Sequence, residues 1–201
     1  MSSDVKLISS ALLLLGDKAT NSLGSDAPNS VQGAKVLYDI YYPVILSERV
    51  WRFALKSAPL SMINGAPKVD GWSYAYELPE DYLLISHLQP DRQFKIHGTY
   101  LYTNLNNTDV NHPPTLFYTY KVDEGILPSY FEGYLVERLA SLFAMKITNE
   151  PSIAQMWAQS AKQRKKDAIA LDSQSQTSQV LPGNAMMEAH YGGARILGIN
   201  P

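Results

Sequence analysis

The sequence contains no cysteine and has few charged side chains. Without cysteine the chain can form neither a disulfide nor a thiolate metal site, which excludes disulfide scaffolds and Cys-ligated zinc domains. Charged residues make up 18% of the 201 residues, below the usual share for soluble domains, whereas hydrophobic residues make up 45%. This composition is suited to a chain that buries part of its surface against other subunits.

The chain also lacks an excess of basic residues and a long apolar run. Its formal net charge is −2, so the charge balance does not favour nucleic-acid binding, which usually needs a basic face. The apolar run at residues 11–15 is too short to cross a bilayer, and it lacks the basic start and cleavage site of a secretory signal. We expect a soluble protein that is not exported.

Motifs for the common catalytic and metal sites are absent. No P-loop, nucleophile elbow or dinucleotide fingerprint occurs, and no two histidines stand at helical ligand spacing. The histidines are His87, His97, His112 and His190. The sequence therefore predicts no metal ligand and no cofactor.

Two acidic pairs are the remaining candidates for chemistry. Glu80–Asp81 or Asp123–Glu124 could supply a general acid and its partner for glycan hydrolysis. Both pairs stand beside turns, where acidic residues are usually only solvated. We therefore predict no catalytic residue, and a two-carboxylate hydrolase is the alternative.

The spacing of apolar residues predicts four helices. The first covers residues 4–15, and a long second one starts behind an Asp26 cap and extends to Phe53. Pro43 cannot donate to the carbonyl of Asp39, which predicts a kink or the end of a first helical segment there. The apolar stripe of this helix is predicted to be Val31, Ala34, Tyr38, Tyr41 and Ile45, widened by Leu37 and Val44. Helices at residues 128–147 and 151–171, joined by a tight loop, are predicted to be antiparallel neighbours.

Between the second and third predicted helices the period changes from 3.6 to 2. Strands are predicted at residues 72–77, 82–88 and 115–122, and a hairpin closed through Gly98 at residues 94–102. Turn signals crowd residues 59–71. We expect an α+β fold, in which an antiparallel helical bundle formed by residues 1–53 and 125–172 carries an inserted antiparallel β-subdomain at residues 54–124.

The last segment, residues 173–201, is predicted to be an extended C-terminal tail. Its first part is rich in Ser and Gln, but its second part is too apolar for a merely solvated end. We expect this part to dock on a partner or a neighbouring subunit. The candidate docking residues are Met186, Met187, Tyr191, Arg195, Ile196, Leu197 and Ile199.

One basic cluster occurs in the fourth predicted helix. Its members are Lys162, Arg164, Lys165 and Lys166, partly offset by Asp167 and Asp172. A solvated face near a helix C-terminus accounts for such a cluster, because cations suit that end of the helix dipole. A contact to phosphate or to a partner is the alternative.

The order of these elements and three local phrases, at residues 46–54, 74–83 and 139–148, resemble a known family. Over residues 4–175 the chain is similar to the head-to-tail adaptors of short-tailed bacteriophages, the tail tubular protein A family. The resemblance implies a structural virion protein without enzymatic activity. Its relatives form a ring of twelve copies between the portal protein and the tail nozzle protein, around a channel for DNA ejection.

On this resemblance the chain would be made in the host cytoplasm and reside in the virion. Its partners would be further copies of itself, portal, nozzle and double-stranded DNA that passes without sequence-specific binding. A phage-borne glycan or cell-wall hydrolase is the alternative from another class. A free-standing regulatory or binding module is a third hypothesis.

Overall fold

The computed structural model describes residues 3–106 and 113–174. Its helices are α1 (Ser3–Leu14), α2 (Asn29–Ser47), α3 (Ser129–Ile147) and α4 (Pro151–Gln174). The strands between α2 and α3 are β1 (Leu55–Pro59), β2 (Tyr74–Glu77), β3 (Tyr82–Gln89), β4 (Phe94–His97), β5 (Tyr100–Thr103) and β6 (Thr115–Tyr120). Short 3₁₀ turns at Arg52–Ala54 and Glu124–Ile126 flank this β-region. The predicted α+β fold is confirmed.

Helix α3 is the centre of the helical part, since α1, α2 and α4 all pack against it. Its buried face repeats every four residues at Phe131, Leu135, Leu139 and Phe143. The loop to α4 turns through Asn149, whose φ of 56° is left-handed, a conformation that asparagine tolerates better than most residues. Helix α4 therefore returns along α3, as predicted.

Helix α2 begins later than predicted. Pro28 occupies the N-cap position, so the prediction of Asp26 as the cap is wrong. The preceding loop is instead held by the Gln32 amide, which donates to the carbonyls of Ser25 (3.0 Å) and Ala27 (2.8 Å).

The C-terminal end of α2 also differs from the prediction. The helix continues past Pro43 to Ser47, so the proline does not end it, but it stops short of the predicted Phe53. Trp51 has an extended backbone (φ −83°, ψ 134°), and its ring is fully buried. Leaving the helix after Ser47 is what allows this large side chain to enter the core.

The buried face of α2 is rotated slightly from the predicted stripe. Tyr42, fully buried, lies on that face, and its hydroxyl donates to the carbonyl of Val122 (2.7 Å). Tyr41 is only half-buried at the margin, and Val44, predicted to widen the stripe, is 48% exposed. The predictions for Tyr41 and Val44 were each wrong by one position around the helix. A 3.6-residue period does not distinguish neighbouring positions at the edge of a buried face.

The β-region consists of two three-stranded antiparallel sheets, with strand orders β1–β6–β3 and β2–β5–β4. The hairpin at Gly98 is confirmed, and the glycine has a φ of 62° that a side chain would strain. Strand β2 starts at Tyr74, so the prediction that Trp72 belongs to it is wrong. Strand β1 was not predicted, because its formation depends on pairing with β6 some sixty residues away.

Two hydrophobic clusters fill the interior. The larger lies among the helices around Trp51, and the smaller lies in the β-region around Tyr76 and Leu101. Tyr120, at the end of β6, packs against both clusters. Tyr120 thereby joins the two clusters, and Leu83 of β3 also packs against the larger one.

Asp172 fixes the last turn of α4. Its carboxylate is fully buried and accepts the Arg52 backbone N–H with both oxygens (3.2 Å each), and the Tyr130 hydroxyl donates to it (3.1 Å). The Arg52 guanidinium donates to the carbonyl of Ser173 (2.7 Å). Ser173 and Gln174 are therefore helical, so the predicted start of the C-terminal tail at residue 173 is two residues early.

Candidate functional site

The predicted docking residues of the C-terminal segment lie outside the described residues. They are Met186, Met187, Tyr191, Arg195, Ile196, Leu197 and Ile199. Their role in docking stays a prediction. The candidate surfaces that the structure does describe are the acidic pairs, the outer face of α2 and the basic cluster of α4.

The pair Glu80–Asp81 does not form one site. Asp81 accepts hydrogen bonds from the Lys56 ammonium (2.6 Å) and the Tyr118 hydroxyl (2.9 Å). The bond from Lys56 is the main cause that holds the pKa of Asp81 below its ordinary value. A carboxyl group with a lowered pKa stays ionised, which is unsuited to a general acid.

Glu80 instead shares a shallow surface hollow with Glu77. The hollow has a volume of about 370 Å³, and Asp81 is not among its lining residues. Both glutamates are exposed. If two carboxylates were to act together on a glycan, this is the pair that the geometry offers in place of the predicted one.

The pair Asp123–Glu124 has structural contacts. Asp123 accepts the backbone N–H of Gly125 (2.7 Å) and so caps the 3₁₀ turn before α3. Glu124 accepts the hydroxyl proton of Tyr38 (2.9 Å), which links this turn to α2. Each carboxylate therefore holds the junction between the β-region and the helices.

The histidines of the described segments do not gather into a metal site. His87 stacks on Phe117 with ring centroids 4.3 Å apart, and His97 is exposed on β4. No group of three His, Asp or Glu side chains suitable for a metal ion occurs within residues 3–106 and 113–174. His112 and His190 lie outside these ranges.

Helix α2 has a second apolar face, directed away from the core. Val36, Ile40 and Val44 follow one another at four-residue intervals and are 59%, 55% and 48% exposed. We call these three residues the outer stripe. An ion pair between Lys35 and Asp39 runs beside it. A helix that is apolar on two opposite sides is typical of one that packs against two neighbours.

The outer stripe was missed at the sequence level, although the signal was present. The spacing of Val36, Ile40 and Val44 is as regular as that of the core stripe, but Val44 was assigned to the core. Further exposed apolar side chains lie near helix ends, at Leu13, Leu14, Ile126, Met145, Met156 and Leu171. Several helices of the bundle thus carry apolar surface that the described residues leave uncovered.

The basic cluster of α4 divides between Glu137 on α3 and Glu48 at the end of α2. Arg164 donates to Glu137 through Nε (3.0 Å) and Nη2 (2.8 Å), and Ser160 donates to the other oxygen of Glu137 (2.8 Å). Glu137 is nearly buried, so this pair is part of the α3–α4 interface. Lys162 and Lys165 line a separate crevice with Glu48 and Arg138.

Comparison with protein-family models and with curated proteins found no match for this chain. None of the helices in the described ranges combines the length and the apolar character needed to cross a membrane. Two surface features of the described residues enter the proposals below, the outer stripe of α2 and the α4 crevice.

Proposed function

We propose that the chain is a structural virion protein, a head-to-tail adaptor that forms a ring between the portal and the tail nozzle of a short-tailed bacteriophage. In this role it has no catalytic activity and needs no cofactor. Twelve copies close around a channel through which DNA leaves the capsid. The protein resides in the virion after synthesis in the host cytoplasm.

The outer stripe of α2 is the observation that carries this proposal. Val36, Ile40 and Val44 place three β-branched side chains in water, and covering each of them is favourable by about 1 kcal/mol or more. We propose that the stripe contacts a different surface of the next copy rather than the same stripe. Such heterologous contacts close into a ring when the rotation between copies allows it.

The charge distribution fits a channel that DNA passes without being held. The net charge is −2, and two cations of the α4 cluster are paired, Arg164 with Glu137 and Lys165 with Glu48. A protein that binds duplex DNA tightly usually presents a continuous basic face. Here acidic side chains offset part of the basic cluster, so we expect no sequence-specific DNA binding.

Docking to the portal is assigned to the C-terminal segment. Met186, Met187, Tyr191, Ile196, Leu197 and Ile199 would supply apolar contacts, and Arg195 would supply a polar anchor at their edge. Burial of several such side chains is favourable by about 1.5–3 kcal/mol each, which offsets part of the entropy of ordering the segment.

Charge substitution on the outer stripe tests the proposal. The Ile40→Asp variant is compared with Ile96→Asp, which changes an isoleucine of similar exposure on β4. We expect the unmodified chain and Ile96→Asp to form rings on portal particles, seen by electron microscopy, and Ile40→Asp to remain a folded single subunit. A chain without residues 180–201 should stay folded but fail to bind the portal.

Failure of the unmodified chain to join portal particles would contradict the adaptor function. The hydrolase alternative is favoured by one observation, the shared hollow of Glu77 and Glu80. It requires cleavage of a glycan or cell-wall substrate that is lost in both Glu77→Gln and Glu80→Gln. We expect no such turnover.

A further inference from the structure

A crevice with an excess of positive charge lies where the end of α2 meets α3 and α4. It has a volume of about 190 Å³ and opens to solvent. Glu48 follows the last residue of α2, Tyr134 and Arg138 stand one turn apart on α3, and Lys162 and Lys165 stand one turn apart on α4. Helical spacing on α3 and α4 thus brings four of these side chains together, and the end of α2 adds Glu48.

The one carboxylate of the crevice, that of Glu48, already accepts hydrogen bonds at one of its two oxygens. Oxygen Oε2 of Glu48 accepts from the Tyr134 hydroxyl (2.6 Å) and from the Lys165 ammonium (2.6 Å). Glu48 therefore neutralises Lys165 and leaves the remaining cations of the crevice with little compensation.

Arg138 and Lys162 have unused donor capacity. The Nε of Arg138 is 4.0 Å from Oε1 of Glu48, which is too long for a hydrogen bond, and its side chain is 35% exposed. Lys162 is exposed and forms no ion pair with any residue that the structure describes. By contrast, two donors of Arg164, on the same helix as Lys162, are already bonded to Glu137.

We propose that this crevice binds one phosphate group, as inorganic phosphate or as a phosphate monoester. Three cations and one carboxylate leave two positive charges, which match the charge of about −1.5 to −2 on such a group at pH 7. The Arg138 guanidinium presents a planar fork to two oxygens, and Lys162 adds a mobile third donor. This site neither requires nor follows from the adaptor function.

A monoester suits the crevice better than the backbone of DNA. A phosphodiester carries one negative charge, and a duplex would need a row of such sites along the surface. The carboxylate of Glu48 inside the crevice would also repel the further phosphates of an extended polyanion.

The test is calorimetric titration of inorganic phosphate into the full chain in a low-salt buffer free of phosphate. We expect saturable binding of one equivalent that Arg138→Gln weakens about tenfold or more, because a charge-assisted pair of hydrogen bonds is lost. Lys162→Gln should weaken binding about fivefold. Lys166→Gln removes a charge from the same helix outside the crevice and should leave binding unchanged. Glycerol phosphate should compete.

Three results would overturn the proposal. One is the absence of saturable binding, and another is an equal loss in Lys166→Gln, which would mean a diffuse charge effect. The third is tighter binding of a short DNA duplex than of phosphate, which would identify a nucleic-acid surface. Circular dichroism establishes that each variant is folded, and Lys162→Gln alone decides the question if Arg138→Gln does not fold.

Discussion

The helical part and the β-region satisfy their buried tyrosine hydroxyls with different acceptors. Among the helices three tyrosines donate to carboxylates, namely Tyr38 to Glu124, Tyr130 to Asp172 and Tyr134 to Glu48. In the β-region Tyr76 and Tyr102 donate to backbone carbonyls, of Leu105 (2.8 Å) and Pro67 (2.9 Å). Two tyrosines are exceptions. Tyr42 of α2 donates to the carbonyl of Val122. Tyr118 of the β-region donates to the carboxylate of Asp81. Charged acceptors therefore predominate among the helices, and neutral acceptors predominate in the β-region.

Because of this difference, we expect the two regions to differ in stability and in how their stability responds to pH. A hydrogen bond to an ionised acceptor is about twice as strong as one between neutral groups. Burial, with the hydrogen bond to Glu124 second, raises the pKa of Tyr38 far above its ordinary value, and burial likewise raises the pKa of Tyr130 to about 12. The helical part should therefore be the more stable region near neutral pH and the more sensitive one in strong alkali.

The largest effect is expected from Trp51→Ala in the helical core. Trp51 is fully buried, with its ring 5.0 Å from that of Phe131, and the change should lower the free energy of unfolding by about 3–5 kcal/mol. The matched control is Trp72→Ala, at a half-buried position ahead of β2, with an expected loss of about 1 kcal/mol. Urea unfolding followed by circular dichroism measures both. Equal losses of unfolding free energy in the two variants would contradict a larger contribution from the helical core.

A smaller effect is expected from removing one hydroxyl in each region. Tyr38→Phe should cost about 1.5–3 kcal/mol because the acceptor is charged, whereas Tyr102→Phe should cost about 0.5–1.5 kcal/mol. The reverse order in urea unfolding at pH 7 would contradict the comparison.

The same pair of variants sharpens the comparison in alkali. In the unfolded chain a tyrosine loses its proton near pH 10, whereas the folded state keeps the proton on Tyr38 because its pKa is raised. The unfolded state binds fewer protons there, so stability falls as the pH rises above about 10. Tyr38→Phe should therefore lose less stability than the unmodified chain in this interval.

The smallest effect is expected from Asp81→Asn, in the Tyr118–Asp81 pair of the β-region. The pKa of Asp81 is lowered, mainly by the hydrogen bond from Lys56, so the stabilisation is present above the unfolded value near 3.9 and is lost as the pH falls through the lower folded value. Both side chains of this ion pair are more than 40% exposed, so solvent screens it. We expect a small loss of stability at pH 7 that disappears in acid, and a loss that persists below pH 3 would refute this account.

Much of this fold could be predicted from the periodicity of the chain, because each helix buries one face of regular spacing. At the edge of a stripe, the spacing did not show which of Tyr41 and Tyr42 is buried, since both lie within the width of a buried face. Strand β1 escaped prediction because its pairing with β6 is set by distant residues.

The candidate surfaces differ in how well they could be predicted from the sequence. The outer stripe of α2 was visible in the spacing of Val36, Ile40 and Val44. The crevice was not, because Glu48 meets Lys165 only after α2 and α4 have packed on α3. The basic cluster alone did not show that Arg164 is paired with Glu137 while Lys162 is open to a ligand.

The buried carboxylate of Asp172 also determines how mechanical force enters the molecule. A pull on the chain beyond Gln174 acts first on the last turn of α4, where Asp172 holds the backbone of Arg52 and the hydroxyl of Tyr130. Tension is thereby shared with the start of the β-region and with α3 rather than peeling α4 away turn by turn. In the proposed adaptor, a docked C-terminal segment would pass its load through Asp172 to this junction.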